Sequence, residues 1–460
     1  KLAAEFTFHL NKELNSEIKV DKVVLKSFED LQINNIFIPD LNGDTILYIP
    51  KTRIKIKSFD FLKRKIEIST LKLENPEIIL KRNKDNEKYE FEFLLKIFEK
   101  KQRESSNYEI SIDQFSIEKS NFHHLDNSGL FKSQNIDIHD IKFSHINLIM
   151  RKMMFKDNSL TSNLEEFNFL NDKGFKLSNL KSELYVDSIH LRLLDIQLKT
   201  PNSSFNSKEF KLNFNLNDTL NNELYSFKEI NSDLSSIDYN AIFIKEIDPL
   251  LDISINTDIT GLTNSIDLNN LFIKYLNSEL NGYFHVDHFS NSDLTNYVFD
   301  LKANKILKND LNNLIKNNNL IIPPLVSKKI NKLNNFQFSI SGSGGNGFSN
   351  SKFQFKSAIG NIRGDLDLFK NNLLEIQYHF NIDAENIAGN LLFDSIDVNN
   401  FNAHFEIDGT GLYKEDIDFK INGYFSDFVL NNYNYDDVKL SGAFKNRSFD
   451  GKMELTDQFI

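Results

Sequence analysis

The sequence predicts a mostly-β protein of half-buried, antiparallel-rich strands with few short helices. Three observations predict it. Apolar and polar residues alternate with a period of two along most of the chain, which puts one kind of side chain on each face of a strand. Helical periodicity is confined to three short places. Clusters of Pro, Ser and Gly that would separate independent modules are nearly absent, with Ser341 to Gly347 as the exception.

The elements follow in order. Leu2, Phe6, Leu10 and Leu14 make one apolar stripe, predicting an N-terminal helix. Arg53–Ile54–Lys55–Ile56–Lys57 alternates strictly, as do Ile66–Ile68, Leu71–Leu73 and Ile110–Ile112. Strand phase slips between Ile68 and Leu71, which leaves the face of that stretch open. Phe91, Leu94, Leu95 and Phe98 predict a second helix, ending in Lys100–Lys101, where cations suit a helix C-terminus. Alternation resumes at Ile136–Ile138 and Phe210–Leu216. It continues at Phe336–Ile340, Phe353–Phe355 and Ile417–Ile421. A third helix is expected over Ile306–Ile315, before Pro323–Pro324. Roughly 25 strands result, far above the average strand share. A loose repeat of a strand ending in Gly, a strand, and a Gly-led strand recurs from Asp258, Phe338 and Phe405, which suggests a quasi-one-dimensional stack.

Composition narrows the function. The chain has 460 residues, a soft prior of about three domains. With 54 Lys plus Arg against 65 Asp plus Glu, its net charge of -11 argues against nucleic acid as a partner. The absence of Cys removes disulfides, thiolate metal sites and cysteine nucleophiles, and fits a protein outside the reducing cytosol. No apolar run is long enough for a membrane-spanning helix. The chain opens Lys1–Leu2–Ala3–Ala4 and ends at Ile460 within a strand-like stretch. It reads as a segment of a longer protein whose upstream part would hold a signal or anchor.

Few motifs carry chemistry. Gly342–Ser343–Gly344–Gly345–Asn346–Gly347 matches a dinucleotide fingerprint, but a strand-like stretch follows where a helix is needed, so a flexible hairpin loop is expected. Asp40–Leu41–Asn42–Gly43–Asp44–Thr45 lacks the later ligands of a calcium loop and reads as an Asn-Gly turn. His285, Asp287 and His288, like His123, His124 and Asp126, do not converge on one strand face and are expected to be surface polar residues. No catalytic, metal or cofactor site is expected, and the protein is not expected to be an enzyme. The informative feature is the apolar strand face. It is either a dry sandwich or barrel core, or the lining of a groove for an apolar ligand. A two-tailed phospholipid hides about 30 methylenes, worth roughly 25 kcal/mol in water, so a carrier must offer continuous apolar cover.

From Ile18 to Arg82 the sequence resembles AsmA-like proteins, specifically the TamB-like (translocation and assembly module) branch of Bacteroidetes type. The pattern runs through Val20–Asp21–Lys22–Val23, Leu31 to Asp40, Gly43 to Tyr48, the Ile54 to Phe61 strand, Leu71 to Pro76 and Ile79 to Arg82. A helix at Tyr89 to Lys101, Ile322–Pro323–Pro324–Leu325, Gly360 to Leu368, Tyr433 to Gly442 and Phe449–Asp450–Gly451 also resemble that branch. The resemblance implies an elongated, twisted sheet folded into a taco-like groove with an apolar interior. It implies an N-terminal region over 1–105, with helices at about 1–15 and 89–103, and a continuous repetitive β-groove over 106–460. The implied function is a bridge-like scaffold carrying phospholipid between inner and outer membrane, anchored in the inner membrane and spanning the periplasm of a Gram-negative envelope. The membrane anchor and the region meeting an outer-membrane barrel assembly partner are expected outside this segment. Groove-lining candidates are Ile54, Ile56, Phe338, Ile340, Phe353, Phe355, Leu366, Leu368, Phe419 and Ile421. The alternatives are a periplasmic scaffold assisting outer-membrane protein assembly or secretion through exposed strand edges, and a structural β-protein with a closed core.

Overall fold

The structure is a computed structural model. It describes residues 11, 18–40, 42–60, 62–82, 89–90, 109–127, 139–214, 224–242, 252–262, 264–291, 293–317, 332–370, 376–392, 398–411, 417–431, 433–435, 437–445 and 448–456. Strand accounts for 78% and helix for 5% of the described residues, several times the ordinary strand share, so the mostly-β expectation holds. The expected helices over 1–15 and 89–103 and the Ile136–Ile138 strand fall outside the described residues, apart from Asn11, Tyr89 and Glu90.

Two compact units divide the chain, Lys1–Leu251 and Asp252–Ile460. The first contains β1 (Lys19–Leu25), β2 (Asp30–Pro39), β3 (Thr45–Asp60), β4 (Lys65–Glu74), β5 (Glu77–Arg82), β6 (Glu109–Asp126) and β7 (Asp140–Lys156). It continues with β8 (Ser159–Asn171), β9 (Lys176–Leu177), β10 (Asn179–Val186), β11 (His190–Lys199), β12 (Ser204–Asn213), β13 (Tyr225–Ser235) and helix α1 (Ser236–Ile242). Neighbouring strands are antiparallel except at β6, which runs parallel to β4 and β5 laid end to end. A parallel return needs a dozen or more residues, and residues 83–108 supply them.

The slip between Ile68 and Leu71 is a β-bulge. Ile54 pairs with Leu71 while Ile56 pairs with Ile68, so the bulge keeps both apolar residues on one face. Further bulges recur with non-glycine residues at positive φ, among them Lys152, Asp195 and Glu229. A buried serine on the neighbouring strand stabilises each. Ser162 donates to the Arg151 carbonyl at 3.1 Å, Ser182 to Leu194 at 2.9 Å and Ser207 to Lys228 at 2.8 Å. The apolar core of this unit centres on Ile112, Met150 and Met153, packed by Ile68, Leu71 and Phe115.

The second unit is a long antiparallel meander. Its strands are β14 (Asp252–Gly261), β15 (Ser265–Tyr275), β16 (Ser278–Asp287), β17 (Asn296–Leu307), β18 (Asn335–Gly345), β19 (Phe348–Ser357) and β20 (Gly360–Lys370). After them come β21 (Ile376–Ala388), β22 (Asn400–Thr410), β23 (Asp418–Ser426), β24 (Phe428–Leu430), β25 (Tyr433–Tyr435), β26 (Asp437–Lys445) and β27 (Ser448–Thr456). β24 and β25 form a separate hairpin, and β26 pairs with β23. Helices α2 (Lys308–Asn317) and α3 (Gly389–Leu392) follow β17 and β21. The helix expected from Ile306 begins at Lys308 instead, because Ile306 and Leu307 are held in the sheet opposite Phe336 and Asn335. The glycine-rich stretch expected as a loop is mostly strand. Gly342 to Gly345 pair with Ser351 to Phe348, and only Asn346–Gly347 turn the chain.

Candidate functional site

The antiparallel register of the second unit aligns its apolar residues into rows. One row runs Phe338, Phe355, Ile362, Ala384, Ala403, Phe425 across six strands. The next runs Ile340, Phe353, Gly364, Ile382, Phe405. A third passes through Leu366, Phe380, Ile407 and Ile421, and a fourth through Leu368, Tyr378, Gly409, Phe419 and Phe444. Opposed residues point to the same side and parity is kept along each strand, so all four rows occupy one face. The candidates Phe338, Ile340, Phe353, Phe355, Leu366, Leu368, Phe419 and Ile421 all lie on it and are half-buried. Ile54 and Ile56 lie on the apolar face of the first unit, half-buried between exposed Arg53, Lys55 and Lys57.

The face is not uniformly covered. At one end of the strands, Phe336, Ile387, Val398, Phe401, Phe428 and Val438 form a buried core closed by α2, α3 and the β24–β25 hairpin. Rings there pack closely, with Phe401 5.7 Å from Phe425 and 6.0 Å from Phe428. Toward the opposite end the rows stay half-exposed, and Phe449 at the last of them is exposed. Glycines keep this part shallow. A Cβ on Gly409 would stand 2.5 Å from the Tyr378 ring, and one on Gly423 would stand 2.7 Å from Phe405. Each ring lies across the neighbouring strand in the space a side chain would fill.

The other face is wet and charged. His379 pairs with Asp408 and His404 with Asp383, each at 2.8 Å, and Arg363 reaches Glu385 at 3.0 Å. His285 lies between two carboxylates, 2.7 Å from Asp267 and 2.9 Å from Asp287, and Tyr283 donates to Asp267 at 3.0 Å. Burial pushes the His285 imidazole down, but the two aspartates outweigh it and hold its pKa above the ordinary value. His288 sits outside this arrangement at positive φ, beyond the end of β16. A shallow hollow of about 780 Å³ also opens on this face, over Lys352, Asp365, His379 and Asn381. Small residues such as Ser341, Gly342 and Ser343 floor it.

The second histidine group departs from the surface reading. His123 pairs with Asp140 at 2.8 Å, whereas Asp126 is buried at 3% exposure in an ion pair with Arg82. Arg82 also lies 4.7 Å from the Tyr89 ring centre, and Tyr89 hydrogen-bonds His124 at 2.9 Å. The sequence spacing of Asp126 shows none of this, because its partner comes from β5 across a parallel pairing. Asp40 fixes its turn by accepting from the Asn42 and Asp44 amides at 2.8 and 2.7 Å. No group of three or more His, Cys, Asp or Glu is placed to hold a metal ion among the described residues. No helix among them is long and apolar enough to cross a membrane.

No family model, no curated protein and no solved structure matches the chain. The rows of half-exposed apolar side chains are therefore the basis of the functional reading.

Proposed function

We propose that the chain is part of an AsmA-like, TamB-like scaffold that carries phospholipid between the inner and outer membranes along an apolar β-groove. The observation that carries this reading is the apolar face of β18–β26, polar on its reverse and aligned in four rows that are half-exposed beyond the capped first one. Acyl tails need unbroken apolar contact, at roughly 0.8 kcal/mol per methylene. They need no catalytic group. The sequence resemblance supports the family, the envelope location and a barrel assembly partner that would dock through a region beyond this segment.

A photo-crosslinking residue placed at Leu366 or Ile421, in the half-exposed rows, tests the reading in cells. Phospholipid adducts are expected at both positions and not at Lys420, on the opposite face. Folded protein that yields no lipid adduct at either apolar position would overturn it.

A further inference from the structure

The largest apolar exposures among the described residues occur at two hairpin tips of the first unit. Phe28, in the β1–β2 turn, is 97% exposed, and Leu62, in the β3–β4 turn, is 98% exposed. An exposed leucine alone is ordinary. Two nearly naked side chains at neighbouring tips are not, because a turn has many polar residues to choose from.

The tips lie at the same end of the sheet. Asp30 pairs with Lys55, and the Ile56 amide donates to the Glu29 carbonyl at 2.8 Å, so the β1–β2 turn lies level with Ile56. β3 then continues to Asp60, paired with Lys65, before the turn that bears Leu62. That overhang is about 13 Å, and the tips are about 10 Å apart sideways, from strand rise and spacing. A flat surface touches both when the strands incline about 50° from its normal. Leu25, at 63% exposure, adds apolar area beside Phe28.

Charge selects the surface. The two turns with their closing residues carry four cations, Lys26, Lys63, Arg64 and Lys65, and three carboxylates, Glu29, Asp30 and Asp60, in a chain of net charge -11. Lys63 is in an exposed pair with Asp60 at 3.9 Å, while Lys57 pairs with Asp113 at 3.3 Å and Lys65 with Glu67 at 3.0 Å. Side-chain hydrogen bonds brace the described residues of both turns. Asp60 accepts from the Leu62 and Lys63 amides, each at 3.0 Å, and Ser27 accepts from the Asp30 amide at 3.2 Å. Exposed apolar side chains at hairpin tips, flanked by cations, match the interface of an anionic bilayer.

We propose that these two hairpin tips are a docking surface for an anionic phospholipid membrane, with Phe28 and Leu62 entering the interface and Lys26 and Lys63 meeting the headgroups. The docking does not depend on the apolar face carrying lipid.

The test is flotation of the whole chain with phosphatidylcholine vesicles, with and without phosphatidylglycerol. Binding is expected only with phosphatidylglycerol, and it should weaken as salt rises. Phe28→Ser with Leu62→Ser should lower partitioning about a hundredfold, at about tenfold or more per buried side chain. Lys26→Glu with Lys63→Glu should remove the preference for phosphatidylglycerol. Both pairs are exposed, and unchanged circular dichroism and melting will show that the fold is intact. Lys420→Glu, exposed on the charged face of the second unit, should leave vesicle binding unchanged, which places the binding at the tips. Absence of binding to phosphatidylglycerol vesicles overturns the proposal. So does binding unaltered in the Phe28/Leu62 variant, or self-association through the tips without vesicle binding.

Discussion

Phe401 and Ile407 lie six residues apart on β22 and on the same face, yet they should respond very differently to truncation. Phe401 is 5% exposed in the capped core, against Phe425 and Phe428. Phe401→Ala removes a buried ring and leaves a cavity, at about 3–5 kcal/mol. Ile407 is half-buried between Phe380 and Ile421. Ile407→Ala removes three carbons, about 2.4 kcal/mol if fully buried. With water already on one side and no cavity to form, about 1 kcal/mol is expected. Urea unfolding of lipid-stripped protein, followed by circular dichroism, gives both values. Loss of 3 kcal/mol or more in both variants, on the order of a full core truncation, would mean that the Ile407 rows are covered. It would refute the open-face argument and favour a closed core. In lipid-loaded protein Ile407→Ala should also reduce the amount of phospholipid seen by native mass spectrometry.

The helix-docking aspartate Asp238 accepts from Ser203 Oγ at 2.6 Å, from Asn202 Nδ2 at 3.0 Å and from Thr200 Oγ1. Asp238→Ala should destabilise the first unit by about 3 kcal/mol, since hydrogen bonds to a charged group are each worth about 1.5–3 kcal/mol and do not add fully. A neutral result in thermal unfolding would show α1 to be dispensable. Burial raises the Asp238 pKa, but these donors outweigh it and hold the carboxyl below its ordinary value. Its stabilisation is therefore present above the unfolded pKa of about 3.9 and lost as pH falls through the lower folded value. His285 has the opposite sign. Its raised pKa makes the contribution complete below the unfolded value of about 6.5, and lost as pH rises through the folded value. An NMR titration should place His285 above an unpaired histidine, and Asp267→Asn should bring it down; no change in that variant would dismiss the pairing. Ser207→Ala should cost about 1–3 kcal/mol by taking a donor from the Lys228 carbonyl beside a bulge. Ser159→Ala, in an exposed bond to Lys156, should cost less, and equal losses would remove the special role of the bulge serines.

The sequence by itself determined the fold class and the two-faced character of the strands. Alternation is local, and antiparallel pairing joins residues without changing their parity. For that reason Phe338, Phe353, Leu366 and Ile421, chosen from separate stretches, lie on one face. Local pattern also placed the Asn42–Gly43 turn, whereas the loop expected over Gly342–Gly347 narrows to a two-residue turn at Asn346–Gly347.

Tertiary structure decided what depends on a neighbour distant in sequence. Asp126 reads as one more acid on a strand, and it is buried only because β6 runs beside β5 and brings Arg82 to it. Lys152, Asp195 and Glu229 carry no turn signal, and their left-handed backbone is imposed by register changes between strands. The same alternating pattern precedes Phe401 and Ile407, and whether α3 and the β24–β25 hairpin cover one and not the other is set by folding of the ends back onto the sheet. Periodicity says which side of a strand is apolar. What lies against that side is a long-range property, and in this chain it separates a sealed core from an open apolar surface.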